Sequence, residues 1–429
     1  MCARLRADNP TDVPTPSQLL DVLLLPAFLL VLTTWMAASV ALLVGGLAAG
    51  RRALELARAR RIIEAIQSQA LEPDAERAAM VAAVATLPDG VLLTLGADPP
   101  GSGPQAQLVA EAVLGRLGRE AVERAAAGPA QPRYNARRVA ALQLLARAQA
   151  RDLVPLLERL ADDPEPEIAG ASLAVLGRLP EPQAAQVLVD ALKHGKYTAS
   201  RIATYLDLFP LPIGQTLRPL LHHPDATVRY WGATLLARHP APGVEADLAA
   251  LTRDTAALVR KAAIASLAEI DGRAAVPAAR ALLQDGVWFV RAHAARALAQ
   301  SAGVDAAEEI APLLADREWW VRLAAKESLQ SLGDEVWSVL VPYLDHEDGF
   351  ARNGAAEVLQ NIGVLDSLIV LEAATARPSP AKIEMLRKIA SAGGARMTAA
   401  LLDRVDARTR PRVKALLETL GLEPAGVES

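Results

Sequence analysis

Four arginines recur at one interval: Arg229, Arg260, Arg291 and Arg322 are spaced by 31 residues, and Arg352 follows after 30. A guanidinium is a fixed fork of N–H donors, so its chemistry is to grip a carboxylate or a phosphate through parallel hydrogen bonds. Carboxylates stand at matching positions. Asp254, Asp285 and Asp316 lie six residues before Arg260, Arg291 and Arg322, whereas Asp225 and Asp348 lie four before Arg229 and Arg352. An acid beside every arginine disfavours a row of phosphate sites. The spacing points instead to a structural ladder of Arg229, Arg260, Arg291, Arg322 and Arg352 with Asp254, Asp285 and Asp316. Such acids either cap a helix or pair with an arginine along the stack.

A second set sits just before three of these arginines. Trp288-Phe289, Trp319-Trp320 and Phe350 interrupt a chain that is only 3% aromatic, so their clustering is not a product of composition. Tryptophan anchors dominate protein interfaces, which makes Trp288, Phe289, Trp319, Trp320 and Phe350 candidate partner-binding residues along one rim. The alternative is that they pack on the adjacent turn. Tyr230 and Trp231 follow their arginine and point elsewhere, at least one of them into the core.

Other chemistry is missing. The stretch GKYT at 195–198 lacks the first glycine of a phosphate loop, and no G-x-S-x-G, H-E-x-x-H or C-x-x-C occurs. His222-His223 has no third metal ligand nearby in sequence, and a single cysteine, Cys2, allows neither a disulfide nor a cysteine metal site within the chain. No metal, cofactor or catalytic residue is expected.

The elements that position these residues follow from the phrase around each arginine: TVRYWGATLL, LVRKAAIASL, FVRAHAARAL, WVRLAAKESL and FARNGAAEVL. With the arginine as zero, small residues recur at +3 (Gly232, Ala263, Ala294, Ala325, Ala355) and leucine at +7 (Leu236, Leu267, Leu298, Leu329, Leu359). Together with position −1 they form one helical face, on which small residues admit a neighbouring helix and leucine fills the layer. An apolar run upstream, such as AAVPAARALL at 274–283, supplies a first helix. Each repeat is therefore a pair of antiparallel helices. A fixed period of this size means stacked copies of one unit. Abundant alanine and leucine agree with an all-α chain.

From 22 to 50 no charged residue occurs, a length sufficient to cross a bilayer with some tilt and longer than the core of a cleaved signal peptide. Arg51, Arg52, Arg58, Arg60 and Arg61 follow it, whereas Arg4 and Arg6 precede it among aspartates. The positive-inside bias puts the N-terminus outside and the repeats in the cytoplasm, at the inner membrane. The five arginines are candidate membrane-surface contacts. The organisation read from the sequence is a short extracytoplasmic segment (1–21), a transmembrane helix (22–50) and a basic juxtamembrane helix (51–71). A helical region with a Pro/Gly linker at 96–107 (72–134), the repeats (135–374) and a helical cap (375–429) follow.

The phrase D-x-x-W-x-V-R-x-x-A-A-x-A-L resembles the short bacterial HEAT-like repeats first associated with phycobilisome lyases. The resemblance covers about 135–374 and is strongest over 225–362. It implies an α-solenoid of about eight HEAT-like hairpins, here preceded by one transmembrane helix, acting most often as a protein-binding scaffold. Family members usually carry a charged or polar residue at −2, where this chain has Phe289, Trp320 and Phe350. The implied function is a membrane-anchored adaptor, for example a regulatory subunit of an envelope or polysaccharide-assembly complex, and not an enzyme. The alternative is a bilin-lyase-like or other enzyme-accessory protein, which a membrane anchor suits poorly. Nucleic-acid binding is disfavoured by a net charge of −4 and a pI near 6.0. Glu327 and Glu357 also offset Lys261, Arg296 and Lys326 on the helix face expected to point inward.

Overall fold

The computed structural model describes residues 16–69, 71–195, 197–375, 379–393 and 405–420. The segment 1–15, with Cys2, Arg4 and Arg6, lies outside the described residues, as do 376–378, 394–404 and 421–429 of the cap region. Helices and turns account for all regular structure among the described residues. The chain divides into two compact units, Met1–Val175 and Leu176–Ser429.

The first unit begins with one long helix, α1 (Pro16–Gln67), in which the uncharged stretch and the arginine cluster are continuous. Among the described residues one helix is long and apolar enough to cross a membrane, and it is this one, over Val31–Gln67. Trp35, Leu42, Leu43 and Leu47 are exposed on it. Its far end is built into the protein: Ala59 and Ile63 are fully buried, and Gln67 donates to the Pro100 carbonyl at 3.2 Å. α2 (Pro73–Thr86), α3 (Asp89–Ala97), α4 (Gly103–Leu117), α5 (Arg119–Ala126) and α6 (Pro132–Arg147) then pack together. Their core is Leu92, Leu95, Val109, Val113, Leu142 and Leu144, and α7 (Val154–Ala161) and α8 (Pro166–Leu176) follow.

The stretch 96–107 is not a linker. Gly96 and Ala97 end α3, residues 98–102 make a short bent connection, and Gly103–Gln107 open α4. The glycines and prolines that mimic a linker have local duties. Pro104 sits in the first turn of α4, where its missing N–H costs nothing. A Cβ at Gly96 would stand 2.6 Å from Leu144 Cδ1, so the glycine lets α3 meet α6.

In the second unit, α9 (Pro182–His194) and α10 (Ala199–Asp207) lead into the regular repeats. The second helices of these repeats are α12 (Ala226–Arg238), α14 (Ala257–Ile270), α16 (Trp288–Ala302), α18 (Trp319–Ser331) and α20 (Gly349–Asn361), each packed on the next. The −1, +3, +7 stripe is their buried face: Val259, Val290 and Val321, the alanines at +3 and all five leucines at +7 are fully buried. The first helices are shorter than the apolar runs suggest. α11 (Gly214–Leu217), α17 (Ala307–Ile310) and α19 (Trp337–Leu340) last one turn and continue as 3₁₀ segments, Arg218–His222, Ala311–Ala315 and Val341–Asp345. Each of those opens with a proline at its second position, Pro219, Pro312 or Pro342. Proline has no N–H to continue the α ladder, and the chain tightens there. α13 (Glu245–Leu251) and α15 (Gly272–Leu282) remain α-helical. At the end, α21 (Val364–Ala374), α22 (Pro380–Gly393) and the helix Arg410–Leu420 close over the stack, burying Leu386, Ile389, Val413 and Leu417.

One repeat breaks the alanine rule at +3. A Cβ on Gly232 would lie 2.6 Å from Leu220 Cβ, a separation real side chains do not adopt. Gly232→Ala, the residue every other regular repeat carries there, is expected to destabilise the second unit by about 1–3 kcal/mol through overpacking. Urea unfolding followed by circular dichroism would read this, and an unchanged midpoint would show that Leu220 yields freely.

Candidate functional site

The ladder arginines leave the first turn of the second helices with the guanidinium lying along the stack. Arg229 donates from Nε and Nη2 to the two carboxylate oxygens of Asp254 at 2.7 and 3.0 Å. Arg260 does so to Asp285 at 2.8 and 2.9 Å, and Arg291 to Asp316 at 2.8 Å on both. Each pair spans 25 residues, so every rung ties one repeat to the next. The third donor, Nη1, turns back to the arginine's own repeat and reaches the carbonyl six residues earlier, His223, Asp254 or Asp285, at 2.8 Å.

The aspartates have a second duty. Oδ1 of Asp254, Asp285 and Asp316 also accepts the backbone N–H two residues on, from Ala256, Val287 and Glu318, which closes the turn before the helix. Pairing and turn closure therefore occur together. The Arg229 guanidinium holds the Asp254 carboxyl below the usual carboxylate range, against burial. Burial pushes Asp285 and Asp316 upward, but the hydrogen bonds of Arg260 and Arg291 and of the backbone N–H groups outweigh it, and both remain depressed. Asp225 and Asp348, at the shorter spacing, are true caps and accept from Thr227, and from Phe350 and Ala351.

Arg322 and Arg352 keep only half of the arrangement. Both donate Nη1 to the carbonyl six residues back, Asp316 at 2.8 Å and His346 at 2.7 Å, but among the described residues neither pairs with a carboxylate. The ladder stops at Arg291. An earlier rung, absent from the sequence reading, lies in the first unit: Arg138, 1% exposed, pairs with Asp163 and donates Nε to the Ala126 carbonyl at 2.9 Å. The 25-residue spacing from arginine to aspartate is its signal, obscured because Arg138 lacks the Val-Arg phrase.

The aromatic residues stand at the starts of α16, α18 and α20. Trp288 and Trp320, from successive repeats, stack with centroids 6.4 Å apart and planes at 23°. Phe289 meets Trp288 edge-on at 5.6 Å, and Trp319 meets Trp320 edge-on at 4.5 Å. The rings pack on one another and still face solvent: Trp288 is 38% exposed, Trp319 53%, Trp320 54% and Phe350 62%, with Phe289 half-buried. Tyr230 and Trp231 are half-buried rather than core, and Trp231 lines a cavity of about 530 Å³ beside Asp207, Thr234, Arg238 and Glu269.

The face carrying the +4 and +5 positions is electrically cancelled. Arg296 pairs with Glu327 at 2.9 Å and Lys326 with Glu357 at 2.6 Å, repeat to repeat. Among the arginines after the apolar stretch, Arg51 bonds Glu55 at 3.0 Å, while Arg52, Arg58 and Arg61 are exposed. Arg60 departs from that group: it is tied to the carbonyl and carboxylate of Asp98 and fastens α1 to the turn after α3. Among the described residues no group of three or more His, Cys, Asp or Glu is placed to hold a metal ion.

The family profile of HEAT repeats matches residues 130–206, 214–299, 244–330 and 281–360, together more than half of the chain. The chain belongs to the HEAT-repeat family. No curated protein matches it. Among solved structures this HEAT-repeat chain is similar to an engineered protein at 21% identity and TM-score 0.35, over 85% of this chain and 95% of that one. It is similar to Kap121p at 12% identity and TM-score 0.39, over 86% of this chain and 57% of that one. Human deoxyhypusine hydroxylase in complex with glycerol matches at 19% identity and TM-score 0.25, over 61% of this chain and all of that one. The HEAT-repeat chain is an all-helical solenoid, a fold typical of protein-interaction scaffolds.

Proposed function

We propose that this HEAT-repeat protein is a membrane-anchored scaffold that docks a protein partner on the aromatic rim of its second unit. The observation that carries the reading is the cross-repeat stack of Trp288 on Trp320, left open to solvent with Trp319 and Phe350 beside it. A contiguous exposed aromatic strip on an aromatic-poor chain supports the reading of an interaction surface. The uncharged span of α1 would hold the scaffold at the inner membrane with the N-terminus outside, and tethering would raise the local concentration of partners. The kinship with the lyase-associated bacterial repeats belongs to this reading, as does a place beside an envelope or polysaccharide-assembly complex. Neither adds a catalytic group.

The test is affinity capture of the detergent-solubilised protein from its host, beside a variant carrying Phe289→Ala, Trp319→Ala and Trp320→Ala. A partner enriched by the parent and lost by the folded variant supports the rim; a partner retained in full refutes it. Orientation is read separately from Cys2, the only cysteine in the sequence. A membrane-impermeant maleimide is expected to label Cys2 in intact spheroplasts. Labelling only after lysis would reverse the orientation, and recovery of the chain in the soluble fraction would remove the anchor.

A further inference from the structure

Arg322 differs from the arginines of the three rungs before it in one respect. Its Nη1 reaches the Asp316 carbonyl at 2.8 Å and the Arg317 carbonyl at 3.1 Å, which fixes its guanidinium as in the other repeats. Yet no described group accepts from Nε or Nη2, the edge that holds a carboxylate in Arg229, Arg260 and Arg291. The cause is in the sequence. The interval shortens to 30, so the position 25 after Arg322 holds the exposed Glu347, and the turn-closing position six before Arg352 holds His346 instead of aspartate. The imidazole performs the aspartate's turn-closing duty, its Nδ1 accepting the Asp348 N–H at 3.0 Å, but it offers no pair of anionic oxygens. Asp348 is occupied with its cap.

Arg322 lines a pocket. The Phe350 ring stands over the guanidinium, 4.2 Å from carbon to centroid, and a cavity of about 220 Å³ is bounded by Trp319, Arg322, Lys326, Phe350, Asn353 and Glu357. Lys326 is already neutralised by Glu357, which leaves Arg322 as the cation with donors to spare. A guanidinium held between an aromatic face and a vacant bidentate edge is preorganised for a carboxylate, since little further ordering is needed on binding.

We infer that Arg322 receives a carboxylate from outside: an aspartate or glutamate side chain in a peptide segment of the partner, with an apolar neighbour set against Trp319 and Phe350. The inference rests on the rim being the docking surface and names what it recognises. In effect the partner supplies the rung missing after Arg291. Carboxylate is favoured over phosphate because the same edge takes aspartate three times in this chain, and because Glu357 and Asp348 would oppose a dianion.

The experiment is selection of a displayed library of random peptides on the purified full-length protein, on Arg322→Gln, on His346→Asp, and on a Trp319→Ala/Trp320→Ala double variant. Selected peptides are expected to carry an acidic residue beside an aromatic or leucine residue. Changing that acid to its amide should weaken binding roughly tenfold or more. Arg322→Gln should do the same, and so should His346→Asp, which closes the rung from within and should raise the urea midpoint, showing that the chain still folds. Peptides with no acidic preference, or binding indifferent to Arg322→Gln and His346→Asp but lost in the tryptophan variant, would overturn the carboxylate and leave the rim standing. Peptides that bind the tryptophan variant undiminished, or no selected peptides at all, would overturn both. Displacement by inorganic phosphate but not by free glutamate would also overturn the inference, assigning the edge to phosphate.

Discussion

Leucine in place of Arg291 is expected to cost the second unit about 3–5 kcal/mol, because it strands a buried carboxylate. The side chains of Arg291 and Asp316 are only 8% and 10% exposed, so water cannot take over when one partner is lost. The Asp285 carbonyl would lose its Arg291 donor as well. Arg296→Ala is the internal comparison: it breaks a pair of nearly the same length, 2.9 Å, whose partners are about half exposed, and should cost no more than about 1 kcal/mol. In a solenoid, stability is a sum of repeat and nearest-neighbour terms, and a rung is a nearest-neighbour term. Urea unfolding of Arg291→Leu should therefore show a lower midpoint and a split transition, the stack parting between α16 and α18. If the midpoint equals that of Arg296→Ala, the ladder does not couple the repeats.

The same rungs give a pH dependence whose sign is fixed. Asp254, Asp285 and Asp316 sit below the ordinary carboxyl value of 3.8 in the folded chain. Their contribution is present above that value and is lost as pH falls through the depressed folded values. The repeats should lose stability in acid, below about pH 4. Arg291→Leu removes the guanidinium that helps to hold Asp316 down and leaves its burial, so protonating Asp316 no longer costs the fold, and the stability gap between parent and variant should narrow as pH falls. A gap between parent and variant that stays constant from about pH 7 down to about pH 3 would contradict this account.

How much of this is legible in the residues depends on how local the signal is. The period, the paired helices and the −1, +3, +7 stripe are properties of single turns of helix, and Val259, Ala263 and Leu267 are buried as their spacing demands. The rungs need two positions 25 residues apart. Each acid announces itself only as a neighbour of its own arginine, while it pairs with the arginine of the preceding repeat. That is why Arg138–Asp163 escapes a reading by phrase, and why Arg322 looks equivalent to Arg291 until His346 is seen in the place of the aspartate. Glycine and proline density misleads at 96–107 for a related reason: composition cannot distinguish a flexible segment from Pro104 opening a helix and Gly96 admitting one. The aromatic residues are legible in position but not in outcome, since exposure depends on whether neighbouring rings satisfy one another.

Trp320 tests that outcome most sharply. It is the middle ring of the strip, stacked on Trp288 and edge-on to Trp319, so its removal frees both neighbours as well as deleting an anchor. Trp320→Ala is expected to weaken partner binding by about 2–4 kcal/mol, roughly 30- to 1,000-fold, mainly through faster dissociation. Its effect on folding should be small, about 1 kcal/mol from the lost ring pairs, because the residue is already more than half exposed. Arg291→Leu should show the reverse, a large loss of stability with contacts at the rim unchanged. Trp337 supplies the control: it is 47% exposed, yet lies in α19, apart from the strip, and Trp337→Ala should leave binding unaltered. Equal losses from Trp320→Ala and Trp337→Ala, measured by surface plasmon resonance against the captured partner, would mean that exposed tryptophan as such, not the stacked strip, is what the partner reads.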